Sequence, residues 1–143
     1  MSVKRKTAFY LWPIVVLMSG CMQIGDENLF DLYDQEAPRL LAILPAEGWI
    51  QVPRGIRIKI WFSEPIAPET VDSQSISLQS GSQSVTASFL VSVDDQGLGL
   101  VELQPWLPLI GGVRYRLQVT EQVTDLRGNS LAQSQEIQFH TTR

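Results

Sequence analysis

Ile56-Arg57-Ile58-Lys59-Ile60-Trp61-Phe62-Ser63-Glu64-Pro65-Ile66 decides how this chain folds. Ile56, Ile58, Ile60 and Phe62 fall on one side of an extended strand, with Arg57, Lys59 and Trp61 on the other. Side chains alternate across a strand with a period of two, so the pattern predicts a half-buried strand over a core. The β-branched residues suit a pleated surface, and Pro65, which has no N–H to give a ladder, ends the run.

On either side of that strand the chain repeats the pattern in short pieces. Arg39–Leu44 is an apolar segment ringed by Pro38, Pro45 and Pro53, as expected of a sheet edge where a missing donor is tolerated. Pro45-Ala46-Glu47-Gly48 has the composition of a turn, and Ala67–Asp72 that of a single helical turn. Further strands are expected at Ser75–Gln79, Val85–Val93, Leu98–Leu103, Val113–Val119 and Glu136–Thr141. Trp49 and Trp106 fall in proline-rich loops and are expected at opposite ends of the domain. About seven short strands, turn signals between them and no long helical period predict an all-β fold, an antiparallel β-sandwich over residues 37–143. A domain of that size buries roughly 60–70% of the surface its unfolded chain exposes, enough for a core without disulfides.

Of the 143 residues, 44% are hydrophobic and 18% charged, with a net charge of −4. From Ala37 onward eight basic and ten acidic side chains leave the domain near neutrality, without the basic footprint that nucleic acid requires. The charges before it are sorted. Lys4-Arg5-Lys6 precedes the apolar run Ala8–Met18 and the small residues Ser19-Gly20, the composition of a secretory signal peptide over residues 1–20. That run is shorter than the ~20 apolar residues of a membrane-spanning helix, and Pro13 interrupts it. Residues 21–36 collect Asp26, Glu27, Asp31, Asp34 and Glu36 around Leu29, Phe30, Leu32 and Tyr33, which reads as an acidic, flexible tether.

Leu17-Met18-Ser19-Gly20-Cys21 resembles the lipobox of bacterial lipoproteins, with Met18 where leucine is commonest. The resemblance implies cleavage between Gly20 and Cys21 and a diacylglycerol and an N-acyl chain, such as palmitate, on Cys21. Cys21 is the only cysteine, so no internal disulfide competes for it. Two or more acyl chains hold a protein durably to a membrane, each buried methylene contributing about 0.8 kcal/mol. Met22, in the place of the aspartate that marks inner-membrane retention in enteric bacteria, implies the outer membrane.

From Pro38 to Arg143 a series of landmarks resembles the bacterial Ig-like domain of the SbsA type. In order they are Leu44-Pro45-Ala46-Glu47-Gly48, Ile60–Ile66, Leu103-Gln104-Pro105, Gly112–Leu117, Asp125–Asn129 and Phe139-His140-Thr141. The resemblance implies an Ig-like sandwich. It also implies a module that usually stands in arrays or rides on enzymes, whereas this chain shows one copy.

No constellation of reacting groups stands out. His140, the only histidine, has no nucleophile in an elbow setting to serve, so an enzyme is not expected. Asp94, Asp95, Asp125 and Asn129 are weak candidates for calcium, which takes 6–8 oxygen ligands; the Asp125-x-x-Gly128-Asn129 spacing is explained equally by a turn. A copper carrier would need clustered histidine or methionine. No cofactor is expected beyond the lipid on Cys21. Trp61 with Arg57 and Lys59 forms a candidate contact patch for another envelope protein or a glycan. The expected role is a lipid-anchored binding or scaffolding module at the cell envelope, the rival being an accessory subunit of a larger envelope or secretion complex.

Overall fold

The computed structural model describes residues 36–143; the signal segment with Gly20 and Cys21, and all of the tether except Glu36, lie outside them. Eight strands follow in chain order: β1 Leu40–Leu44, β2 Ile58–Phe62, β3 Ile76–Ser80, β4 Gln83–Ser84, β5 Ala87–Val93, β6 Gly99–Pro105, β7 Arg114–Val119 and β8 Gln135–His140. They form two antiparallel four-stranded sheets, ordered β1-β2-β6-β5 and β4-β3-β7-β8. A single 3₁₀ turn, Pro68–Thr70, stands where the sequence predicted a helical turn.

The strand count differs from the expected seven because Gln83–Ser84, just before the run predicted at Val85–Val93, pairs with β3 as a strand of its own before the chain changes sheets. Val85 N–H still donates to Leu78 O (2.8 Å) in the second sheet, whereas Thr86 O accepts from Trp106 N–H (3.1 Å) beside the first. The alternating pattern continues through that crossover, so periodicity alone gave no break. β2 begins two residues later than expected, because Ile56 N–H donates into the preceding turn at Pro53 O (3.1 Å).

The inward residues of β2, Ile58, Ile60 and Phe62, are fully buried, as alternation required. Opposite them lie Ile76, Leu78, Leu117, Val119 and Phe139 of the second sheet, also buried. Tyr115 stacks on Phe139 with ring centroids 5.8 Å apart, and its hydroxyl oxygen accepts from Ile110 N–H (2.8 Å), so the one polar atom this ring carries inward is satisfied.

Residues 36–39 join the sandwich at one end, the base, where Arg39 O accepts from Ser63 N–H (2.9 Å) and Pro38 O from Ala132 N–H (3.0 Å). The loop 45–57 leaves β1 at the other end, the tip. β6 runs antiparallel to β2, Ile58 facing Leu103, so the loop 106–113 that follows β6 emerges at the tip as well.

Candidate binding surface

Arg57, Lys59 and Trp61 do share the outer face of the first sheet. Trp61 is half-buried, in register with Ala42 of β1 on one side and Leu100 of β6 on the other. Between the two cations sits Glu102 of β6. Its Oε2 meets Arg57 Nη1 at 3.0 Å and its Oε1 meets Lys59 Nζ at 3.2 Å, while Arg57 Nε donates to Gln104 Oε1 at 3.2 Å. Desolvation pushes the Glu102 carboxyl upward, but hydrogen bonding and attraction from Lys59, then from Arg57, outweigh it and hold the group below its ordinary value. Both cations are therefore committed within the sheet, and the patch is a half-buried tryptophan beside a cluster in which one carboxylate is shared by two cations.

The oxygen-rich loops lie at the base and are turns. Asp94 Oδ1 accepts from the N–H groups of Gln96 and Leu98, each at 2.9 Å, and Asp95 is exposed beside it. Asp125, only 2% exposed, accepts through Oδ1 from the N–H groups of Arg127 and Asn129 and through Oδ2 from the Asn129 amide, all at 2.8 Å. Burial raises the Asp125 pKa, but the Asn129 amide and then the backbone N–H groups of Asn129, Arg127 and Gly128 draw it below its ordinary value. Among the described residues no three histidine, cysteine or acidic side chains converge on a point that could hold a metal ion. His140 Nε2 accepts from Arg114 Nε at 3.3 Å on the outside of the second sheet.

The sequence reading missed the tip. Ile50 (71% exposed), Trp106 (70%), Leu107 (78%), Ile110 (60%) and Trp49 (49%) all project there, so Trp49 and Trp106 share one end and neither closes it. The loops that carry them are rigidly tied. Leu109 N–H donates to Arg54 O (2.8 Å) and Arg54 Nε donates back to Leu109 O (2.7 Å), joining one loop to the other. Thr141 Oγ1, at the end of β8, donates to Ile110 O (2.6 Å), while Trp49 O accepts from His140 N–H (2.8 Å). Gln51 holds a left-handed φ of 61°, which costs a residue with a Cβ about 1–2 kcal/mol. A groove of about 570 Å³ runs beside the second loop, walled by Trp106, Leu107 and Ile110 and floored by Val85 and Tyr115. Fixed backbone under exposed aromatic and aliphatic side chains is suited to apolar docking, since little conformational freedom remains to be lost on contact.

Known structures of other proteins share this architecture. A surface-layer protein, rSbsC(31-844), superposes with a TM-score of 0.51 at 15% identity, over 75% of this chain and 14% of that one. PcoC, a methionine-rich copper resistance protein from Escherichia coli, gives a TM-score of 0.57 at 15% identity, over 73% of this chain and 97% of that one. At such identities the likeness is one of fold. No curated protein sequence matches significantly. The profile of the bacterial Ig-like domain matches residues 34–141, which is most of the chain, and the protein belongs to that family.

Proposed function

We propose that this protein is a lipid-anchored component of the bacterial cell envelope whose Ig-like domain binds or scaffolds a second envelope protein through its tip. The observation that carries the reading is the set of large apolar side chains, 49–78% exposed, on loops locked together by Arg54, Leu109 and Thr141. Exposed apolar side chains gathered as Trp106, Leu107 and Ile110 are around one groove mark interaction sites, and aromatic residues dominate the energetics of protein contacts. Ile50, Leu107 and Ile110 favour an apolar protein surface over a glycan, because aliphatic tips offer sugar rings no stacking plane. The anchor rests on the lipobox-like Leu17–Cys21. A metal-carrier role in the manner of the copper resistance protein finds less support: residues 36–143 contain no methionine, and His140 is engaged by Arg114.

Cross-linking in intact membranes tests the tip. The double variant Trp106→Ser, Leu107→Ser should lose at least tenfold of any cross-linked partner while keeping its melting temperature, and an unchanged partner profile would refute the assignment. Cys21→Ser should release the protein from the membrane fraction; continued membrane association through no other contact would refute the anchor.

A further inference from the structure

Three of the four sheet edges carry a protecting device. β1 is flanked by Pro38 and Pro45 and is broken by a bulge between Leu40 and Ala42. β4 is only two residues long. β8 is overlaid by the loop 45–57, Gly48 N–H donating to Gln138 O (2.8 Å) and Val52 N–H to His140 O (3.0 Å). Proline, bulges, short strands and covering loops are the usual means of preventing one sheet from adding to another. β5 has none of them. Its seven residues, Ala-Ser-Phe-Leu-Val-Ser-Val, contain no charge and no proline, and among the described residues it pairs only with β6.

The ladder shows which of its backbone groups are unused. Asp94 N–H donates to Leu98 O (2.9 Å) and Trp106 N–H to Thr86 O (3.1 Å), which fixes the hydrogen-bonded pairs at both ends of the β5–β6 ribbon. Such pairs recur at every second residue, so Ser88, Leu90 and Ser92 bond to β6, in register with Gln104, Glu102 and Leu100. Ala87, Phe89, Val91 and Val93 therefore aim both N–H and C=O away from the sheet.

We infer that β5 is a self-pairing edge, through which two copies of this chain join antiparallel into a continuous sheet about a two-fold axis at Leu90. The sequence is its own complement in that register. Ser88 faces the second copy's Ser92, Phe89 its Val91, and Leu90 its Leu90. This register overlaps the whole strand, and it sets the unused groups of Phe89 and Ala87 against those of the second copy's Val91 and Val93, giving up to about eight hydrogen bonds. No like charges oppose one another. Leu90 (59% exposed) and Val93 (54%) are covered in the process. Space is available, because between β5 and the edge of the second sheet runs an open groove of about 500 Å³, lined by Ile76, Leu78, Val85 and Phe89. The first sheet receives residues 36–39 at β1, its far edge, about 14 Å away across the strands, so the point where the chain joins does not obstruct β5.

The test uses the full chain, detergent-solubilised, by sedimentation equilibrium. The wild type should dimerise, and Leu90→Lys should weaken dimerisation at least tenfold while melting like the wild type at dilutions where both are monomeric, since residue 90 projects into solvent in the monomer. In a Cys21→Ser background, Leu90→Cys should form an intermolecular disulfide, because the two residues would face each other as a non-hydrogen-bonded pair about 4.5 Å apart at Cα. Ser92→Cys, which would face Ser88, should not. A wild type that stays monomeric at millimolar concentration overturns the inference, as does equal cross-linking by both cysteine variants. A monomer whose Phe89 and Val91 amides resist hydrogen exchange would also overturn it, showing the edge covered by another part of the chain.

Discussion

Glu102 shows how much of this molecule's surface chemistry is settled by a single carboxylate. Its side chain is only 12% exposed, yet it carries Arg57 and Lys59. Because its folded pKa lies below the ordinary value, the group adds stability at neutral pH. That contribution begins to fade as pH falls through the range of an unfolded glutamate and is gone below the folded value. Replacing Glu102 with Gln should cost up to about 1 kcal/mol at pH 7 and flatten the acid side of a stability–pH curve, measured by urea denaturation between pH 7 and 3. A curve parallel to wild type would assign the acid sensitivity to Asp125 or another carboxylate. The residues Arg57, Lys59 and Trp61 were legible in the sequence as one face of one strand. Their partner was not, since alternation says which way Glu102 points but not which residue it stands beside; that depends on a pairing register between segments more than forty positions apart.

At the scale of elements, β2, β3 and β7 were readable because a buried face imposes a period of two on the sequence. β4 was not, being two exposed polar residues with no buried face to impose a period of two. Gly99 was missed for a different reason. A Cβ there would run into the carbonyl oxygen of Glu64, with Ile66 Cγ1 behind it, because the segment leaving β2 crosses directly over the start of β6. No local pattern announces a close approach between segments distant in sequence. Since the obstructing atom is backbone, it has little room to move, and Gly99→Ala should destabilise by about 1–3 kcal/mol. For a domain of this size that corresponds to a melting temperature lower by roughly 4–8 °C per kcal/mol, readable by calorimetry. Gly97→Ala tests a different cause, as its Cβ would meet nothing within 4 Å and its cost comes from a φ of 83° alone.

Over the whole molecule, the sandwich class and its span followed from the number and spacing of short strands, but the sidedness of the loops did not. Trp49 and Trp106 emerge together because β1 and β6 both run from base to tip, a fact of topology that no loop composition encodes. Their exposure is measurable. Iodide should quench the tip tryptophans, 49% and 70% exposed, several times more strongly than Trp61, which is half-buried between β1 and β6. Single-tryptophan variants separate the three signals, and equal quenching at all three sites would mean the tip is covered in solution.

The chain joins at the base, and the apolar loops stand at the tip, with β1 running the length between them. Tension applied between residues 36 and 107 therefore acts along the strands, straining the rungs that join β1 to β2 all at once. Tension between residues 36 and 95, both at the base, acts across the sheet and peels those rungs apart one by one. A molecule pulled by optical tweezers should give way at a markedly higher force in the first geometry than in the second. If the tip is what a partner grips, this domain is oriented to bear mechanical load where its sheets resist it best.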